Sequence, residues 1–283
     1  MMVFDTAEAM RAWSEGHRAS GRTIGFTPTM GALHAGHESL MRAAAKQNDV
    51  SVVSIFVNPT QFAPDEDYDK YPRTFEADCT MASRIGTRAI YAPTARTMYP
   101  EGYATYVNVE RITERLCGAS RPHFFRGVTT VVTKLLNAVR PDRAYFGQKD
   151  AQQAAVIRRM VRDLDMGVEI VEMPIVREPD GLALSSRNKY LSPEERRRAL
   201  CLSRGLYTAR EMLEAGERDP NKIIETVRET MADVDIDYVE LVDAGEIVPV
   251  DHIRGTVLLA VAARVGETRL IDNIKFTVPE NEE

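Results

Sequence analysis

At 283 residues the chain is long enough for a large buried core and two domains, and its 44% hydrophobic and 28% charged content is ordinary for a globular protein. A net charge of −6 argues against a general nucleic-acid binder, no apolar run reaches membrane-spanning length, and the N-terminus lacks the apolar centre of a signal peptide. Cys79, Cys117 and Cys201 are far apart with no CxxC pair, so neither a disulfide framework nor a zinc site is expected, and the thiols read as reduced in a cytoplasmic protein.

Residues 23–26 read as a strand and residues 38–45 as a helix. Between them runs Pro28-Thr29-Met30-Gly31-Ala32-Leu33-His34-Ala35-Gly36-His37. Two histidines, three apart with a glycine between, thus sit at the mouth of a helix that follows a strand. Unpaired N–H groups and a partial positive charge at such a terminus suit a phosphate. Gly31 and Gly36 let backbone approach a ligand, and His34 and His37 can donate to phosphoryl oxygens as charge develops. A pair of polar helix caps is the plainer alternative, which the placement and the glycine disfavour.

Residues 50–57 form an apolar run rich in β-branched side chains, a buried strand that ends at the turn signal Asn58-Pro59. Asn58 and Gln61 follow its carboxyl end, where open α/β sheets bind ligands. Their amides can hold hydroxyl and carboxylate groups, although a turn stabilised by Asn58 explains the string equally well. Residues 63–71 are polar and read as a surface loop, and residues 74–85 as a helix capped by Thr74 and stopped by Gly86. A strand is expected at 89–92, a helix over 127–139 ended by Pro141, and a strand at 143–146.

Gly147-Gln148-Lys149-Asp150 is a second strand-to-helix junction. Gly147 permits a tight turn, Lys149 can reach an anionic oxygen and Asp150 can cap the next helix, but a simple capped helix fits as well. The helix over 151–164 places Ala154, Ile157, Val161 and Leu164 on one face, and residues 168–173 form a further strand. Alternation of strands and helices predicts a parallel α/β sheet for this part of the chain.

Beyond Pro174 the character changes. Residues 178–181 are turn-rich and read as a hinge. Leu184-Ser185-Ser186-Arg187-Asn188 offers two hydroxyls and a guanidinium in a mobile stretch, a short phosphate clamp if it is more than a polar loop. A helix over 193–215 follows Ser192 with Pro193 at its first position, and its charge run at 194–198 reads as a solvated face. A helix over 219–234 and strands at 236–242, 256–265 and 270–276 complete a small α+β region.

His34-Ala35-Gly36-His37 resembles the HxGH signature of the nucleotidyltransferase superfamily, and Leu184-Ser185-Ser186-Arg187 its second phosphate-binding motif. The longer strings are more specific: residues 28–34, 54–59, 71–74, 180–188 and Arg269-Leu270-Ile271-Asp272-Asn273 together resemble the pantothenate synthetase (pantoate–β-alanine ligase) family in order along nearly the whole chain. The resemblance implies a Rossmann-like ATP- and pantoate-binding domain over 1–175, a smaller α+β C-terminal lid domain over 176–283, and a homodimer. It implies ATP-dependent ligation of pantoate to β-alanine through a pantoyl adenylate, with AMP and pyrophosphate released and Mg2+ bridging the phosphates. On this chain it implies that Met30, Gly31, Ala32, Leu33, His34, Ala35, Gly36 and His37 line the ATP site. Gly147, Gln148, Lys149, Asp150, Val176, Leu184, Ser185, Ser186 and Arg187 complete it. His37, the implied proton donor, acts with His34 and Lys149. Gln61, Gln153 and Asn58 hold pantoate, Gln61 also meets β-alanine, and no side chain is assigned as a metal ligand.

One string departs from the family pattern Arg-Pro-x-His-Phe-x-Gly-Val. Here Arg121-Pro122-His123-Phe124-Phe125-Arg126-Gly127-Val128 carries its histidine one place early, and Phe124 takes the usual position. Three rival readings are an adenylyl transferase for a phosphorylated acceptor, a tRNA-binding synthetase-like protein and a non-catalytic ATP sensor. The Asn58–Gln61 string and the C-terminal region oppose the first, and the acidic charge opposes the second.

Overall fold

A computed structural model describes residues 1–64 and 66–279. Its strands are β1 (Met2–Phe4), β2 (Ile24–Thr29), β3 (Val50–Ile55), β4 (Ala89–Tyr91), β5 (Arg143–Gly147), β6 (Glu169–Met173), β7 (Asp235–Asp243), β8 (Thr256–Val265) and β9 (Thr268–Thr277). Its helices are α1 (Ala7–Ala19), α2 (Ala35–Gln47), α3 (Phe75–Ile85), the single turns α4 (Ala95–Met98) and α5 (Cys117–Ser120), α6 (Phe124–Val139), α7 (Ala151–Asp163), α8 (Pro193–Glu214) and α9 (Pro220–Thr230). The chain divides into two compact units. The first comprises Met1–Glu110, Arg121–Gly147 and Val156–Pro174, and the second comprises Arg111–Ser120, Gln148–Ala155 and the chain from Ile175 onward. Among the described residues no helix is long and apolar enough to cross a membrane.

The first unit is built on a six-stranded sheet in the order β1-β4-β3-β2-β5-β6, parallel at every pairing. The central strands are apolar on both faces, with Ile24, Phe26, Val52 and Val53 all buried, because helices cover both sides of such a sheet. From β2 the chain runs through α2 to β3 and through α3 to β4 in one direction, while β5 and β6 lie on the other side of β2. The order therefore reverses between β2 and β5, and the ligand crevice of an open α/β sheet lies at the carboxyl ends of such a pair. Thr29 and Gly147 are those two ends.

The second unit is α+β. β7, β8 and β9 form an antiparallel sheet in that order. α8 and α9 cover it through one core that includes Leu202, Leu206, Val227, Leu241 and Val261. α8 starts with a capping box, in which Ser192 takes the Glu195 N–H at 3.2 Å and Glu195 takes the Ser192 N–H at 2.8 Å.

Several local expectations change. α7 ends at Asp163, so the apolar stripe of Ala154, Ile157 and Val161 is buried while Leu164 is 51% exposed. Thr74 stands at the N-cap of α3 but makes no capping bond, and its hydroxyl donates to Asp78 at 3.1 Å. The charge run on α8 is not simply solvated: Arg196 pairs with Glu178 and Asp180 at 2.7 Å each, and Arg198 donates to the Asp233 carbonyl.

Candidate active site

The chain leaves β2 by a turn that few sequences can make. Gly31 and Ala32 are both left-handed, at φ 83° and 50°. Glycine adopts that conformation freely, whereas alanine pays a steric penalty of about 1–2 kcal/mol. The turn is held by Asp78 of α3, which is 3% exposed. Its carboxylate accepts the N–H groups of Ala32 at 3.0 Å and Leu33 at 2.8 Å. The Thr29 hydroxyl adds a bond from the Gly31 N–H at 3.1 Å. Reading along the sequence missed Asp78, because an acid in the first turn of a helix ordinarily serves the helix dipole.

This turn delivers His34 to the N-cap of α2, where its Nδ1 accepts the Gly36 N–H at 3.2 Å. That bond assigns the neutral ring's proton to Nε2, leaving Nε2–H as the donor. His37 lies one turn on, with ring centroids 4.1 Å apart and planes at 34°. The capping expected as the plainer alternative for His34 is present, and capping through Nδ1 leaves Nε2–H as the ring's donor beside the positive end of α2. Gly36 serves by offering its N–H, and its carbonyl accepts the Ser39 hydroxyl at 2.8 Å.

At the end of β3, Asn58 caps a single 3-10 turn over Pro59–Gln61. Every polar atom of its buried amide is used. Oδ1 accepts from the Thr60 hydroxyl at 2.9 Å and the Tyr99 hydroxyl at 2.8 Å, and Nδ2 donates to Gln61 Oε1 at 3.1 Å and the Gly127 carbonyl at 3.2 Å. Asn58 therefore orients Gln61. With Oε1 occupied, Gln61 presents its NH2, which stands 3.1 Å from Met30 Sδ. Burial pushes the Tyr99 hydroxyl up to about 12, so it stays protonated and keeps donating. The turn packs on α6 so closely that a Cβ at Gly127 would lie 2.3 Å from the Thr60 carbonyl oxygen.

The departing string lies beside this turn. Phe124 opens α6 with its ring 4.0 Å from the Arg121 guanidinium carbon. Arg121 in turn pairs with Glu66 and donates to the Gln61 carbonyl at 3.0 Å. His123 is exposed at the N-cap of α6, and its side chain makes no capping bond.

The other candidates belong to the second unit, apart from Gly147, which ends β5 and needs no left-handed backbone for its turn. Gln148–Asp150 is a single 3-10 turn rather than a simple cap, and the Asp150 carboxylate stands 3.7 Å from Lys149 Nζ. Gln153 is half-buried on α7. Its neighbour Gln152 is structural, binding the Cys117 N–H and the carbonyls of Ile112 and Arg115. The Val176 carbonyl accepts the Leu184 N–H at 2.9 Å, which brings those two residues together. Ser185 caps a 3-10 turn over Ser186–Tyr190 by accepting the Arg187 N–H at 3.2 Å.

The stretch expected to be mobile makes several hydrogen bonds within its own unit. Asn188 is buried and donates to Glu178 at 2.7 Å and to the Ala183 carbonyl at 3.0 Å. The Arg196 guanidinium beside Glu178 holds its carboxyl below the usual range. Arg177 makes a two-pronged pair with Asp272 at 2.6 and 3.0 Å.

An open parallel sheet with a histidine-capped helix N-terminus at its switch point is the architecture of nucleotide-binding α/β enzymes. The family within that class follows from comparison: the pantoate-beta-alanine ligase model matches residues 2–275, and the chain belongs to this family. It is 55% identical over 276 residues to pantothenate synthetase of Pelotomaculum thermopropionicum, covering 96% of this chain and 98% of that one. It is 56% identical over 281 residues to that of Heliobacterium modesticaldum, covering 98% and 100%. Pantothenate synthetase from Thermus thermophilus superposes with a TM-score of 0.91 at 44% identity, covering 97% of this chain and 99% of that chain. Pantoate-beta-alanine ligase from Francisella tularensis, solved with beta-gamma ATP and beta-alanine, superposes at 0.75 with 32% identity, covering 97% of each.

Proposed function

We propose that the protein joins pantoate to β-alanine with consumption of ATP, through a pantoyl adenylate. The observation that carries the residue-level reading is the His34–His37 pair on the N-terminus of α2 at the sheet's switch point. Family membership and the ligands of the Francisella tularensis structure support the substrates.

In the first step a pantoate carboxylate oxygen bonds to the α-phosphorus, the bond from that phosphorus to the bridging oxygen breaks, and pyrophosphate leaves. The chemistry asks for donors and cations where charge grows, and for no protein nucleophile. His34 Nε2–H, His37, Lys149 and the Ser185–Ser186–Arg187 cluster supply them. Met30 to His37, Gly147 to Asp150, Val176 and Leu184 to Arg187 form the ATP site. Gln61, oriented by Asn58, and Gln153 hold pantoate.

In the second step the β-alanine amine attacks the acyl carbon near Gln61, AMP leaves and the amine loses a proton. An acyl adenylate hydrolyses in water, so the lid role assigned to residues 176–283 is to exclude solvent while residues 1–175 hold the nucleotide.

Magnesium belongs to this reading as the nucleotide's companion ion. In this reading the ion is carried mainly by phosphate oxygens. Bound there, it neutralises charge on the phosphates. A homodimer in the cytoplasm completes the proposal.

The test is pyrophosphate–ATP exchange with and without pantoate, followed by β-alanine. Exchange should require pantoate, and β-alanine should release AMP and amide in equal amounts. His34→Ala and Lys149→Ala should each slow adenylation by about 100- to 1,000-fold. Exchange driven by a phosphorylated acceptor, with no amide formed, would replace this reading with adenylyl transfer.

A further inference from the structure

The string Arg269-Leu270-Ile271-Asp272-Asn273 on β9 takes no part in the chemistry above. Asp272 and Asn273 are each 3% exposed, and both use their side chains fully. Asn273 Nδ2 donates to two successive carbonyls, Gln148 at 2.9 Å and Lys149 at 3.0 Å. Its Oδ1 accepts Gln148 Nε2 at 3.2 Å. Asp272 holds Arg177 with both oxygens and accepts the Asn273 N–H at 2.7 Å. Two adjacent residues of one strand thus grip the turn that bears Lys149 and the chain beside Val176.

We propose that Asn273 is a positioning residue for Lys149, fixing the backbone from which the lysine projects. A lysine side chain is a flexible four-carbon stem ending in a point charge. Only its root can be set in advance, and the carbonyls on either side of the Lys149 nitrogen and carbon atoms are the groups Asn273 holds. Sequence order attaches Lys149 to β5. The hydrogen bonds attach it to a strand 124 residues further along, and Gln148–Ala155 accordingly belongs to the second unit. The amide type matters, because aspartate there would set a carboxylate against two carbonyl oxygens, and alanine would leave both half-buried carbonyls without this donor.

The proposal rests on the reading of Lys149 as a phosphate-contacting group, and a double-mutant cycle separates the two. Exchange at varied pantoate is measured up to saturation for wild type, Asn273→Ala, Lys149→Ala and the double variant, with thermal melts alongside. Asn273→Ala should lower kcat by about 10- to 100-fold, the scale of a misplacement near 1 Å. KM for pantoate should hold within about twofold, and in the Lys149→Ala background the same change should cost less than about twofold. Asn273→Ser, which keeps one donor and a smaller disturbance, should fall between wild type and Asn273→Ala. An equal loss in both backgrounds would make Asn273 merely structural and overturn the proposal, as would wild-type activity of a folded Asn273→Ser. A fully active Lys149→Ala would instead overturn the role of Lys149, and the proposal with it.

Discussion

Gly127→Ala sets helix propensity against tertiary contact. In an exposed helix the change favours folding by about 1 kcal/mol. Here the new Cβ would lie 2.3 Å from the Thr60 oxygen, 2.6 Å from the Thr60 carbonyl carbon and 2.8 Å from the Gln61 nitrogen. All three are backbone atoms, so no side chain can swing aside. Carbon contacts settle near about 3.5 Å, and the turn and α6 must therefore part by about 1 Å. Overpacking of this kind costs about 1–3 kcal/mol, so the variant should melt below wild type despite its better helix former. The displacement also stretches the bond from Asn58 Nδ2 to the Gly127 carbonyl, now 3.2 Å, and moves Gln61 with it. A misplacement of that size costs about 100-fold in the reaction. The assay is exchange at varied pantoate and fixed ATP, with thermal melts. Gly16→Ala within α1 is the control, because nothing beyond its own helix and chain neighbours lies within 4 Å of its added Cβ and its backbone is not left-handed. A folded Gly127→Ala with wild-type kcat and pantoate KM would refute the argument that this contact places Gln61.

Asp78→Asn turns one acceptor of the histidine turn into a donor facing an N–H, and should destabilise the protein by about 1.5–3 kcal/mol in urea unfolding. Adenylation should fall with it, and full activity would show that the turn holds without the carboxylate. Phe124→His should change exchange by less than about twofold, and His123→Ala no more, since one ring packs on Arg121 and the other is exposed. A rise in pantoate KM for His123→Ala would make that residue a substrate contact. Arg196 holds the Glu178 carboxyl below its ordinary value. The stability this contributes is present above about pH 4.3 and is lost as pH falls through the lower folded value. Urea midpoints measured through that range should fall more steeply in wild type than in Arg196→Met, and parallel curves would contradict the assignment.

What was legible in the sequence was what local pattern encodes. The β-branched run of β3 and the amphipathic stripe of α7 are set by burial on a fixed period, and both appear where expected except at Leu164, where the helix has already ended. The histidine motif was legible because its glycines and strand-to-helix placement are local. β1 was not, since three residues with Met2 and Val3 52% exposed carry no core signal. Asp78 and Asn273 were not legible either, because their meaning lies in partners 45 and 124 residues away.

In the segment 178–188 composition alone does not reveal the partners the structure supplies. Its proline, glycine, aspartate and serines describe a chain with no intrinsic reason to order, which is how a free loop reads. Order comes from cations elsewhere in the unit: Arg196 from a run that reads as solvent-facing, and Arg177 held by Asp272 of β9. The Arg177–Asp272 pair is largely buried, where removing one partner leaves the other uncompensated. The serines and Arg187 therefore sit on a frame held to α8 and β9, and the turn bearing Lys149 is held to the next residue of the same strand. The groups that the proposed function assigns to phosphate in this unit thus share one scaffold. The backbone that carries Lys149 and the frame that carries Ser185, Ser186 and Arg187 are thereby tied to adjacent residues of one strand.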